Sequence, residues 1–140
     1  MYGIIATWRM ALEGISKADS MLKNNENAAD SIEEAIKAVE DFEYYKSVGY
    51  GGLPNEEMEV ELDAAFMDGD TLEFGCVGGI KDFANPVSIA RSLMHYDANN
   101  FLVGQGAEKY ASRHGFERKT MLTDRAKIHY HNRIKEITNT

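Results

Sequence analysis

Cysteine is all but absent: Cys76 stands alone among 140 residues. A lone cysteine excludes an internal disulfide, and its thiol suits a reducing, cytoplasmic setting. Basic side chains are outnumbered. The chain carries 15 Lys and Arg against 23 Asp and Glu, for a formal charge of −8. A nucleic-acid surface needs a basic face, so nucleic acid is not the expected partner. No uninterrupted apolar run is long enough to span a bilayer, which argues against a membrane protein. Residues 1–8 lack the basic leader of a signal peptide, and Met1 agrees with an unprocessed amino end. What is present suits one folded domain. Hydrophobic residues at 44% and charged residues at 27% are the proportions of a soluble globular chain, and the length allows a real core.

The richest stretch is residues 46–80, KSVGYGGLPNEEMEVELDAAFMDGDTLEFGCVGGI. Ser47 leads into Gly49, Gly51 and Gly52, which let the backbone take positive φ angles and approach another group closely. The loop lacks the lysine and Ser/Thr of a P-loop and the spacing of a dinucleotide fingerprint, so it is no phosphate cradle. Residues 54–57 read as a turn. In residues 58–67, Met58, Val60 and Leu62 alternate with Glu57, Glu59 and Glu61, the period of a half-buried strand. Asp68-Gly69-Asp70 reads as a hairpin turn in which glycine supplies the unusual angle, with a return strand over 71–80. Asp63 and Asp68 lie an odd number of residues apart, which puts them on opposite faces of a strand and weighs against a shared metal. Asp63 is expected as a buried structural carboxylate and Asp68 as the turn residue.

Elsewhere the pattern alternates between short strands and helices. Residues 2–7 form an apolar, β-branched run that reads as a buried strand ending at Trp8. Trp8 is either an anchor between helix and sheet or a functional side chain at a strand end. Ala11, Leu12, Ile15, Ala18, Met21 and Leu22 keep helical spacing, and Asn24-Asn25 ends that helix. A second helix is expected over 27–44, with Ile32, Ile36 and Val39 in its apolar stripe. Its Asp30, Glu33, Glu34, Lys37, Glu40 and Asp41 read as a solvated face. Asn85-Pro86 is a helix start over 87–96, with Asn85 as the N-cap. Arg91 in that helix faces water or a carboxylate. Residues 101–103 read as a strand and 107–113 as a helix ended by His114-Gly115-Phe116. Thr123-Asp124 caps a last helix over 125–137. His129 and His131 are two apart, so a helix points them to different faces and they make a poor metal pair. The tail through Thr140 is polar and expected to fray.

Several of these segments occur together and in order: SVGYGGLPNE, LDAAFMDG, GCVGGI, NPVSIARSLM, VGQGAEKYA and HGF. This series, running from about Thr7 to about Phe116, resembles the first half of a glycosylasparaginase. That family is a branch of the N-terminal-nucleophile hydrolases, with a threonine nucleophile, related to the plant-type asparaginases and isoaspartyl peptidases. The resemblance implies an α+β fold, a four-layer αββα sandwich whose two sheets are shared with a partner β chain. Thr7-Trp8 matches the family's threonine-tryptophan pair, so Trp8 would line the substrate pocket. Met10 stands where the family often has an aromatic, which leaves the preferred leaving group open. Ser47 matches a serine that reaches the nucleophile's amine. Asp97-Ala98-Asn99-Asn100 departs from the family's His-Thr pattern.

The chemistry implied needs a threonine at the start of a polypeptide, its own amine acting as base while its oxygen attacks the amide carbonyl. In the family it arises by self-cleavage at a His-Asp-Thr-Val-Gly-like motif, which residues 1–140 do not contain. Thr7 and Thr140 do not qualify. The expectation is therefore an α subunit spanning residues 1–140, with 117–140 forming the last helix and the linker toward the cleavage site. A β chain from the same precursor would bring the nucleophile, and two αβ units would pair as (αβ)2. The resemblance implies no cofactor. The substrate class is a small aspartyl amide, with glycosylasparagine favoured by Thr7-Trp8 and SVGYGG. An isoaspartyl peptidase or plain asparaginase stays open through Met10 and Asn99. A non-catalytic α/β binding module stays open through the missing threonine.

Overall fold

The computed structural model describes residues 1–139; the terminal Thr140, assigned above to a frayed tail, lies outside them. The sheet is built around the glycine-rich return strand. Strand β1 (Glu61–Met67) pairs antiparallel with β2 (Phe74–Lys81), and β2 pairs parallel with β3 (Phe101–Val103), in the order β1-β2-β3. Between β2 and β3 the chain crosses over through α3 (Pro86–Leu93), and α4 (Gly104–Arg113) follows β3 directly. Both helices pack on one face of the sheet. There Leu62, Phe66, Val77 and Ile80 meet Val87, Ile89, Leu93, Ala107 and Tyr110 in the core. Phe83, Ile89 and Leu93 are fully buried in it.

The alternation in residues 58–67 is real, but the ladder begins only at Glu61, because Met58 takes a left-handed φ of 61°. The hairpin is longer than expected. Asp68 does hold the turn, its Oδ1 accepting from the N–H groups of Asp70 at 2.8 Å and Thr71 at 3.1 Å. The left-handed residue is Leu72, with φ of 60°, and not Gly69. The register slips between Leu62↔Ile80 and Ala64↔Val77, so β2 carries one extra residue opposite Asp63. Gly79, at φ 57°, absorbs that bulge. Its N–H, displaced from the ladder, donates to Asp63 Oδ1 at 2.8 Å. Asp63 is therefore a hydrogen-bonded structural carboxylate as expected, but an exposed one.

The first two helices form a separate layer. A 3-10 turn (Arg9–Ala11) runs into α1 (Leu12–Lys23), which packs on α2 (Ala28–Glu40). Gly14 and Ala18 are buried, and Gly14 lies directly against the Ala35 backbone, so small residues set the close approach of the two helices. Asn27 caps α2 through its side-chain oxygen, which accepts from Ala29 N–H at 2.7 Å. Helix α2 stops at Glu40, short of the expected end at Tyr44. Thr123 caps α5 (Asp124–Thr138) as read from sequence, its Oγ accepting from Ala126 N–H at 3.2 Å. Of α5, Ala126 is buried while Ile128 and Ile134 stay exposed.

Two apolar surfaces are left wholly or partly uncovered. On the sheet face away from α3 and α4, Met67, Phe74, Phe101 and Val103 share one side by register and are all exposed. The other is the face of the α1–α2 pair, which residues 2–7 cover only in part, leaving Ile5, Leu12 and Ile32 exposed. An exposed patch of this kind on a sheet marks a surface built to pack against something.

Candidate active site

Residues 2–7 do not form the buried strand expected of them. They are unpaired and mostly exposed: none of the described strands hydrogen-bonds to them. They lie instead across the apolar face of α1 and α2, enclosing a cavity of about 570 Å³. Tyr2 ties this segment down by donating its hydroxyl to Asp19 at 2.9 Å. Ile15, Ile32, Ile36 and Val39 form the far wall.

Trp8 and Met10 both line this cavity, Trp8 from the start of the 3-10 turn and Met10 from within it. The Trp8 carbonyl accepts from Ala11 N–H at 3.0 Å, which fixes its backbone while its side chain remains 72% exposed. An anchoring tryptophan would be buried, so the packing role considered for Trp8 is not the one it fills within the described residues. Ser47 is placed differently. It is exposed in the turn after α2 and is not part of the cavity wall, although its neighbour Val48 is. Among the described residues its hydroxyl makes no hydrogen bond, so it is not locked onto its own turn. The cavity wall contains no carboxylate, histidine, lysine or cysteine. It can select by shape and apolar contact, but general acid–base or nucleophilic chemistry has to come from other groups.

The glycine loop is pinned from two sides. Tyr50 N–H donates to the Glu40 carbonyl at 2.7 Å and Gly51 N–H to the Met121 carbonyl at 2.9 Å. Lys119 Nζ sits 4.1 Å from the Tyr50 ring centroid. Gly49 has φ of 62°, and a Cβ there would run into the Glu40 carbonyl. The loop therefore depends on glycine both for its angle and for its close approach to the end of α2.

Glu40 itself is the residue that pattern reading missed. Its charge places it with a solvated face on pattern alone, yet it is 3% exposed. Its carboxylate accepts from Val87 N–H at 3.2 Å and from Asn85 Nδ2 at 3.3 Å. Burial, the larger cause, and the neighbouring Asp41 and Glu33 charges push its carboxyl up to about 7, against these two hydrogen bonds. Asn85 precedes α3 as expected, but in a left-handed conformation with no side-chain capping bond; Glu40 caps that helix in its place. Glu33 is likewise drawn inward, bonded to Arg91 and Ser88, and Asp30 Oδ1 lies 2.6 Å from Arg91. The signal was available: Ile32, Ile36 and Glu40 follow one another at four-residue spacing, the apolar row of the helix. Among the described residues, no three His, Cys, Asp or Glu side chains cluster as a metal site. No helix of them is long and apolar enough to cross a membrane.

Residues 5–139 match the family model described as asparaginase. The chain belongs to the asparaginase family. It is 35% identical over 120 residues to an N(4)-(beta-N-acetylglucosaminyl)-L-asparaginase of Elizabethkingia miricola, covering 86% of this chain and 35% of that protein. It is 36% identical over 124 residues to an isoaspartyl peptidase/L-asparaginase of Rattus norvegicus, covering 84% of this chain and 37% of that one. A plant-type L-asparaginase of Thermococcus kodakarensis is 36% identical over 121 residues, covering 86% of this chain and 35% of its own length. The chain thus spans a little over a third of these relatives. The mixed α/β architecture with its small sheet agrees with this asparaginase-family membership.

Proposed function

We propose that this chain is the α subunit of an amidohydrolase that cleaves the side-chain amide of an asparagine derivative, releasing aspartate and an amine. The observation that carries the reading is Trp8. A large aromatic stands unpacked at an apolar cavity, beside Met10, in a chain of the asparaginase family. In this reading Trp8 and Met10 shape the substrate pocket, and Ser47, whose hydroxyl is uncommitted, supports the amine of a threonine nucleophile. That threonine begins a β chain, which also supplies the oxyanion donors. The threonine oxygen attacks the amide carbonyl, the amine leaves with a proton, and water then releases aspartate from the ester.

The two bare surfaces support a partner layer. The exposed Met67, Phe74, Phe101 and Val103 fit a second sheet stacked face to face, giving four αββα layers, and residues 2–7, whose backbone pairs with no described strand, would add to such a sheet. Two αβ units then assemble as (αβ)2. For substrate, glycosylasparagine is favoured by Thr7-Trp8, while Met10 in place of an aromatic keeps an isoaspartyl peptide or free asparagine as the second reading. Both names occur among the relatives. Side-by-side hydrolysis of glycosylasparagine, asparagine and a β-aspartyl dipeptide by the complete protein tests this. The account expects aspartate release, fastest from glycosylasparagine; a faster dipeptide moves the assignment to the second reading, and no aspartate from any of the three overturns it.

A further inference from the structure

Glu40 ends α2 with its backbone and side chain bonded to two different parts of the chain. Its carbonyl receives the Tyr50 N–H at 2.7 Å, and Gly49 lies against the same backbone. Its carboxylate receives the first available N–H of α3, that of Val87, at 3.2 Å. Asn85 Nδ2 bridges it, at 3.3 Å to Glu40 and 2.9 Å to Asp41. One residue therefore joins α2, the helix on the sheet, and the loop that begins at Ser47.

We propose that Glu40 is a positioning residue for the glycine loop, its carboxyl group clamping the end of α2 to α3 so that the loop carrying Ser47 is held in place. The inference rests on the amidohydrolase reading for its effect on activity, but not for its effect on the loop. Both groups facing the carboxyl, Val87 N–H and Asn85 Nδ2, donate hydrogen bonds. A proton on either oxygen leaves lone pairs on both, so the neutral carboxyl keeps both contacts. Ionisation instead puts a charge where water is excluded, so it is ionisation that loosens the clamp.

The surrounding charges make this titration accessible near neutrality. Asp41 and Glu33 favour the proton, and burial favours it more, lifting the carboxyl to about 7. From α3, Arg91 is committed to Glu33 and Asp30. Beyond the loop, Lys119 lies over the Tyr50 ring. Among the described residues no cation forms an ion pair with Glu40. The acid form is then the tighter one, and ionisation loosens it.

The test uses the complete enzyme and reads the loop separately from the chemistry. Hydrogen-exchange protection of the Tyr50 and Gly51 amides, corrected for intrinsic rates, is followed from pH 5.5 to 8.5 in wild type, Glu40→Gln and Glu40→Ala. Wild-type protection is expected to fall about tenfold through pH 7, what one pKa unit between the clamped and loosened states is worth. Glu40→Gln is expected to stay flat at the higher level, and Glu40→Ala to lie below both. Glu40→Ala is also expected to lower kcat by roughly ten- to a hundredfold with KM little changed, as for a misplaced catalytic group, while Glu40→Gln retains most of the rate. Wild-type protection that is flat across pH 7 overturns the proposal without need of any variant, and so does a Glu40→Ala enzyme whose loop protection equals that of Glu40→Gln. If no amide is hydrolysed at any pH, the functional reading fails while the wild-type exchange data still decide the role of Glu40.

Discussion

Replacing Glu40 by glutamine removes a buried titration and leaves the side chain's size unchanged. The stability consequence has a definite sign. Burial lifts the folded-state carboxyl from 4.5 to about 7. Between those two values the folded protein keeps a proton that the unfolded chain has released. Stability is therefore fully present below the unfolded value and is lost as pH rises through the folded one. At about 1.4 kcal/mol per pH unit across that interval, ionised Glu40 costs the wild type about 3 kcal/mol above pH 7. Glutamine does not titrate, so any fixed difference in its hydrogen bonding cancels when the two proteins are compared across pH. At roughly 2–4 °C per kcal/mol for a protein of this size class, the Tm advantage of Glu40→Gln should widen by about 6–12 °C between pH 4.5 and pH 8. Parallel thermal melts of the complete protein and the variant measure it. A Tm difference that stays constant over this range would refute the reasoning, since Glu40 would then titrate as an exposed carboxylate does.

Three other substitutions separate packing from function. Trp8→Ala should change stability by no more than about 0.5 kcal/mol, because the side chain is largely unpacked, yet raise KM for aspartyl amides about tenfold. Unchanged KM would remove Trp8 from the pocket. Gly49→Ala should cost more than about 2 kcal/mol in denaturant titration, since it adds a Cβ at φ 62° against the Glu40 carbonyl. Thr123→Ala should cost about 1 kcal/mol by removing the bond to Ala126 N–H that starts α5, with no change in substrate preference.

The readings that held are those decided by local chemistry. Val60 and Leu62 point inward because strand side chains alternate, Asp68 holds its turn because a short carboxylate can accept from the N–H groups ahead of it, and Thr123 caps α5 for the same reason. The readings that failed were decided by distant partners. Residues 2–7 have the composition of a strand, but a strand needs a neighbour, and none of the described strands reaches them. The charge of Glu40 reads as solvated although the Ile32–Ile36 row already places it inward; what the fold adds is its partner, the N–H of Val87 at the start of α3. Asp63 answers a bulge that could be located only once the two strands were in register. At the site, Trp8 and Met10 could be named from the motifs, but their shared cavity comes from the way residues 2–7 cross two helices.

The central claim, that this chain is one part of a threonine-nucleophile amidohydrolase, is tested most directly by intact-mass measurement of the native preparation under denaturing conditions, with N-terminal sequencing of every species. The account predicts a second polypeptide that begins with threonine and that gains the mass of an acyl group when the enzyme is quenched during turnover of an aspartyl amide. A preparation in which no threonine-initiated polypeptide accompanies this chain, and no species gains mass from the substrate, would contradict it.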